Sequence, residues 1–321
     1  MTDQHGARPP RRASPTVVRP SVPRIIPASR LVDRDLREEG LVRVLRGFYA
    51  APPPAGAAPW EVDRYLLLAR AAALHRSLTG EHWFSGQTAA LLWGCAVVRV
   101  PRVVDVVTRV NPHVRTGAMP GVRRHWTARP ERGADPSRLL PLPASPLART
   151  VVECASSLPP REGLVVADSA LRSGTDPVEL SAALAASTGD RGVRRARAVV
   201  AWADDRSESA GESLVRYELL RAGAPPPELQ VPVRTRHGWR WIDLGWPAER
   251  VGLEFDGRAK YGATAHDVAA AVVAEKRRQE ALEDSGWRIL RLGWDDLGRP
   301  DDLVARVQRA LRRAARYRRT V

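Results

Sequence analysis

The feature that most constrains this sequence is a pair of apolar stretches, Trp239 to Trp246 and Val251 to Asp256, separated only by Pro247-Ala248-Glu249-Arg250. A reversal this short between two strand-like runs closes a β-hairpin. Closing it between Trp246 and Val251 sets the register, and Asp243 then lies directly across from Glu254. Side chains alternate along a strand, so Asp256 is expected on the same face as Glu254. Carboxylates facing one another across a sheet are destabilising. Hard oxygen donors at this density suit Mg2+ or Mn2+, which would relieve the repulsion; ordinary acids on a solvent-facing sheet edge are the alternative.

The flanking residues extend the hairpin into a domain. Ser209 reads as the N-cap of a helix whose apolar face is Leu214, Tyr217, Leu219 and Leu220, and which Gly223 stops. Leu229 to Val233 reads as a further strand, joined to the hairpin by Thr235-Arg236-His237-Gly238. A helix is predicted from about Ala265 to Asp284, with Val272 and Leu282 on its buried stripe and Glu275, Lys276 and Gln279 interrupting it. Trp287 to Leu292 then forms a strand parallel to the one carrying Glu254, through a helical crossover. The last helix begins after Pro300 and ends in Arg309, Arg312, Arg313, Arg316, Arg318 and Arg319, a run that reads as a solvated face or as a track for phosphates. The expected fold class is α/β, with an α-β-β-β-α-β-α core over 209–321 preceded by a polar linker at 201–208.

The formal net charge is +15, which attracts polyanions such as DNA. Of the 51 basic residues only Lys260 and Lys276 are lysines. Arginine excess in an Ala- and Pro-heavy chain also follows from a GC-rich genome, so it is the retained lysines that are informative. An ammonium can be tuned and a guanidinium cannot, which makes Lys260 a candidate to orient water or neutralise a transition state, with chance placement as the alternative. Cys95 and Cys154 stand alone, without the spacing of a zinc site or a disulfide framework. His75, His82, His113 and His125 are scattered singly and read as solvated or core residues. No phosphate loop, dinucleotide fingerprint or zincin motif occurs. With neither a signal-peptide pattern nor a membrane-length apolar run, a cytoplasmic location is expected.

Towards the N-terminus, residues 1–22 mix Arg8, Arg11, Arg12 and Arg19 with prolines and read as a disordered basic arm. From Ser29, Leu31, Val32 and Leu36 recur at helical spacing up to Gly40, and Leu41 to Tyr49 then alternate around Gly47 as a small basic hairpin. A helix followed by such a hairpin is the back half of a winged helix, so residues 23–60 are expected to form a partial one, with Arg43 and Arg46 as DNA contacts. Residues 61–200 read as mixed α/β, with helices at Val62 to Leu78, Gly86 to Trp93, Leu164 to Leu171 and Val178 to Ala186 and a strand at Val103 to Val107.

Two resemblances follow from these strings. The N-terminal part resembles the AbiEi antitoxin family in Gly40-Leu41-Val42-Arg43 through Arg46-Gly47-Phe48-Tyr49, in Ser85-Gly86-Gln87-Thr88 through Gly94, in Ala148-Arg149-Thr150-Val151-Val152-Glu153 and in Val166-Ala167-Asp168-Ser169-Ala170-Leu171. It departs from that family at Pro20, Pro23 and Pro27, where the first two helices of the winged helix would lie. The C-terminal part resembles the PD-(D/E)XK restriction-endonuclease-like fold, and within it the branch related to very-short-patch-repair (Vsr) endonucleases. The strings are Trp241-Ile242-Asp243-Leu244, Glu254-Phe255-Asp256-Gly257-Arg258-Ala259-Lys260-Tyr261, Glu275-Lys276-Arg277-Arg278 and Gly286-Trp287-Arg288.

That second resemblance implies Mg2+ (or Mn2+) on Asp243 and Glu254, with Glu212 completing the shell. The lysine that the broad family places two residues after the second acid is Asp256 here, so the positive charge would come from Lys260 or Lys276. Lys276 and Arg278 are further candidate DNA contacts. The expected function is a magnesium-dependent DNA endonuclease-like protein. The alternative is a non-enzymatic AbiEi-like regulator or antitoxin with a degenerate nuclease domain, acting with a partner toxin or as a homodimer.

Overall fold

The computed structural model describes residues 23–30, 40–109, 119–127, 135–257 and 276–320. The arm at 1–22, the helix expected between Ser29 and Gly40 beyond Arg30, His113, and Lys260 with most of the expected crossover helix lie outside the described residues. The chain divides into two units between Asp205 and Arg206. Both are mixed α/β.

The N-terminal unit opens with β1 (Ile25–Pro27), β2 (Val42–Leu45) and β3 (Phe48–Ala50) in a three-stranded antiparallel sheet of order β1-β3-β2. The β2–β3 hairpin turns at Gly47, whose φ of 80° is open to glycine at little cost. Pro27 sits in β1 at the sheet edge, where a missing N–H is tolerated. Arg43 and Arg46 are both exposed on this hairpin.

The unit continues with α1 (Pro59–Ser77), β4 (His82–Phe84), α2 (Gly86–Trp93), β5 (Val104–Thr108), β6 (Val122–Trp126), β7 (Asp135–Pro136) and β8 (Pro143–Ala144), the strands ordered β6-β5-β4-β8-β7. Helices α3 (Leu147–Ser157), α4 (Pro160–Arg172), α5 (Pro177–Ala186) and α6 (Val193–Val200) complete it. Leu67, Leu68 and Leu74 of α1 pack with Phe84, Leu91, Leu92, Val104 and Val106 in one core. Two of the strings that resemble the AbiEi family meet at Glu153, whose carboxylate accepts the Gly86 N–H at 3.0 Å and the Ser145 hydroxyl at 3.1 Å. Glu153 thereby satisfies a donor at the start of α2, a structural duty.

The C-terminal unit runs α7 (Ala210–Arg221), β9 (Glu228–Thr235), β10 (Gly238–Trp246), β11 (Val251–Phe255), helical residues 276–284 (α8), β12 (Arg288–Leu292), α9 (Trp294–Leu297) and α10 (Pro300–Thr320). The sheet order is β12-β11-β10-β9, with β11 and β12 parallel and the other pairs antiparallel. One face buries Leu244, Leu253, Leu290 and Leu292 against Val215 and Leu219 of α7 and Leu303, Val307 and Leu311 of α10. The other buries Val231, Val233 and Ile242 with Leu282 of α8, Trp287 and Ile289. Each fully buried leucine contributes about 1.5–3 kcal/mol, so the sheet is clamped from both sides. Among the described residues no helix is long and apolar enough to cross a membrane.

Candidate functional site

The hairpin forms in the expected register, pairing Trp246 with Val251, Gly245 with Gly252 and Leu244 with Leu253. Asp243 and Glu254 come one step beyond the last of these pairs. There the Asp243 carboxylate turns to the backbone and accepts the Phe255 N–H at 3.0 Å. The next amide, that of Asp256, donates to the Leu292 carbonyl at 2.8 Å and leaves its side chain exposed at the strand end.

Residues two apart on a strand normally share a face. Here Leu229 and Leu244 join the core made with α7 and α10, whereas Val231 and Ile242 join the core made with α8. The β9–β10 ladder therefore turns over between the Leu244–Leu229 and Ile242–Val231 pairs. Gln230 and Asp243 lie between those two pairs, where the ladder skips a pairing, and Gln230 takes a left-handed φ of 53°. Such a φ is uncommon for a residue with a Cβ, and sites of backbone strain cluster where function is built.

Leu253 faces the α7 and α10 core, so by alternation its neighbour Glu254 projects from β11 to the α8 side. Arg278 Nη2 stands 3.0 Å from its Oε1, and Arg291 Nη2 stands 3.6 Å from its Oε2. The Arg278 contact is an ion pair without an aligned hydrogen bond, and the same nitrogen donates to the Trp241 carbonyl at 2.8 Å. Arg291 is the register partner of Glu254 on β12. The expected patch of three acids on one face is not what forms. Two guanidiniums neutralise Glu254, and Asp256 is exposed beyond the end of β11. Among the described residues no three Asp, Glu, His or Cys side chains converge on a cation position. Arg278, expected on DNA, is committed to Glu254 and Trp241, whereas Lys276 is exposed at the first described residue of α8.

Glu212 is the acid that does join Asp243. Ser209 caps α7 by accepting the Glu212 N–H at 3.2 Å, which orients the first turn. Glu212 Oε2 accepts the Glu208 N–H at 2.8 Å and the Gln230 amide Nε2 at 3.2 Å. Burial, reinforced by the charge of Asp243, pushes the Glu212 carboxyl up to about 7 from an ordinary 4.5. A buried carboxyl poised near neutrality beside a second carboxylate is an arrangement that structural ion pairs rarely need and functional sites often use. Gln230 and Arg291 are the members of this cluster that sequence reading missed. Neither belongs to a quoted string, and the Gln230 signal lies in backbone conformation.

Another buried acid with charged partners lies in the N-terminal unit. Asp105 of β5 is gripped by Arg123 at 2.5 Å and by His125 at 2.9 Å, both from β6. Burial raises its pKa, but these two partners outweigh it and hold the carboxyl below its ordinary range. His82, expected to be solvated or core, is buried and bonds His75, ring nitrogen to ring nitrogen, at 2.9 Å.

No family model matches this sequence. It is 33% identical over 286 residues to two proteins of Mycobacterium tuberculosis, the uncharacterized proteins Rv2248 and MT2308; the aligned part covers 88% of this chain and 97% of each of those. The chain belongs to their family. The 286 aligned residues are too many to lie within one of the two units, so residues of both are included. A crystal structure of the RV2827C protein from Mycobacterium tuberculosis aligns with 53% of this chain and 68% of its own at 20% identity, with a TM-score of 0.31, too slight a likeness to bear on the fold.

Proposed function

We propose that the C-terminal unit is a restriction-endonuclease-like domain of the PD-(D/E)XK type, related to Vsr-like proteins, that acts on DNA phosphodiester bonds with Mg2+ or Mn2+. The element order α7-β9-β10-β11-α8-β12-α10 and the parallel β11–β12 pair support the fold. The observation that carries the function is the juxtaposition of Glu212 with Asp243, which leaves one proton-poised carboxyl beside a half-buried carboxylate. This donor pair fits a hard divalent cation in chemistry. Glu254 does not fit that role while Arg278 and Arg291 hold it. A bound cation would supply an acidified water and charge stabilisation at the phosphate.

The protein's own groups carry the remaining work. Asp243 is aimed by the Phe255 amide, and Glu212 is aimed by Gln230 and Glu208. Glu254 holds the guanidiniums of Arg278 and Arg291 by ion pairs. The test is incubation with supercoiled plasmid, with Mg2+, Mn2+ or a chelator. Metal-dependent nicking that Asp243→Asn and Glu212→Gln both abolish is the expected result; no nicking under either metal rejects the enzyme.

A second reading is favoured by the ion pairs on Glu254 and by Asp256 standing where a lysine is expected. In it the protein is a non-enzymatic, AbiEi-like DNA-binding regulator or antitoxin whose nuclease-like domain is a scaffold. Duplex binding without cleavage, unaffected by Asp243→Asn, is its signature.

A further inference from the structure

The last helix carries a feature that neither the acid pair nor the Glu254 cluster uses. Leu303, Val304, Val307, Ala310 and Leu311 bury one side of α10 in the core, which fixes the helix rotationally. Arg309, Arg312, Arg313 and Arg316 are all exposed. At 3.6 residues per turn these four positions fall within one arc of the helix surface, opposite the buried stripe. No acid follows Asp302 in the sequence, so nothing later in the helix offsets the stripe.

Like charges three and four residues apart on a helix repel one another. Cations near a helix C-terminus are favoured by its dipole, but that effect is confined to the last turn, and Arg309 stands well before it. A GC-rich genome explains arginine in bulk and does not explain four on one exposed arc without an acid between them.

We propose that the exposed arc of α10, centred on Arg309, Arg312 and Arg313, is a docking surface for the phosphate backbone of duplex DNA, separate from the Glu212–Asp243 pair. It goes beyond the catalytic reading and stands without it, because backbone contact needs no metal and no cleavage. Guanidiniums on a rigid helix neutralise phosphates and release counterions, so their removal lowers the salt dependence of binding.

The experiment titrates the full-length protein into a fluorescein-labelled duplex of about 20 base pairs, in chelator, over about 50 to 200 mM salt. Arg309→Gln/Arg312→Gln/Arg313→Gln should reduce the slope of log affinity against log salt by about 2 to 3, since each phosphate contact contributes about 0.9. The triple lysine variant at the same positions should keep the slope, because charge and not fork geometry carries this contact. All three positions are exposed, and an unchanged melting temperature checks that the glutamine variant is folded. An unchanged slope in a folded glutamine variant overturns the proposal. So does displacement of the duplex by polyglutamate at equal charge, which would mark an acidic protein as the partner. Docking is read here in chelator, where no cleavage occurs, and nicking in the plasmid assay, so failure of one and failure of the other are distinguished.

Discussion

Asp243 Oδ2 accepts the Phe255 N–H at 3.0 Å, which holds the carboxylate at the point where β10 and β11 cease to pair. Asparagine keeps an acceptor oxygen there, so Asp243→Asn should fold normally while losing its charge. In wild type, Mg2+ or Mn2+ at ten times the dissociation constant should stabilise the protein by about 1.4 kcal/mol. The asparagine variant should show no shift. Differential scanning fluorimetry with each metal and with chelator measures both, and a wild type indifferent to both metals removes the metal from the site.

Glu212 makes stability depend on pH in an unusual direction for a carboxyl. Its pKa is pushed up to about 7 in the folded chain, against an ordinary 4.5, chiefly by burial and then by Asp243. The folded state therefore binds more protons than the unfolded state between those values, and stability falls as pH rises through that window. Fully developed above about pH 7, the cost is about 3 kcal/mol. Glu212→Gln keeps an acceptor for the Glu208 amide and removes the titration. Urea melts from pH 5 to 8 should decline for wild type and be flatter for the variant; equal slopes would assign the pH dependence elsewhere.

Removing the charge of Glu254 should harm the fold, although it deletes one of several clustered acids. Arg278 and Arg291 would then share a partly buried site without their counterion. Breaking a buried ion pair costs about 3–5 kcal/mol, and the partial exposure of both arginines places Glu254→Gln nearer 2 kcal/mol. A chemical melt of the variant against wild type checks the sign. A variant as stable as wild type would mean that the guanidiniums do not depend on Glu254.

Gly211 lets α7 approach the sheet. A Cβ there would run into the Phe255 ring, which itself packs edge-on against Trp294 with centroids 5.3 Å apart. Gly211→Ala should therefore cost about 1–3 kcal/mol through overpacking, despite the better helix propensity of alanine. Because Phe255 presents the amide that Asp243 accepts, and Glu212 is the next residue on α7, the same change should also weaken the metal-induced shift. Gly211→Ala paired with Phe255→Leu, which shortens the ring, should recover much of the stability; no recovery would place the clash elsewhere.

The sequence alone determined the hairpin and its register, because a four-residue reversal between two apolar runs leaves one economical pairing. It also determined the α7 cap at Ser209, the parallel return of Trp287 to Leu292, and the basic hairpin turning at Gly47. These rest on contacts between near neighbours or, for the parallel return, on a connection too long for a hairpin. Tertiary structure decided which face each acid took. Strict alternation places Asp243, Glu254 and Asp256 together, and that inference failed because the ladder turns over at Gln230 and Asp243, a backbone event with no side-chain pattern to announce it. It also decided the partners: Arg278 comes from α8 and Arg291 from β12, each far along the chain from Glu254. The charge state of Glu212 belongs to the same class, since its burial and the nearness of Asp243 exist only once α7 and the sheet have met.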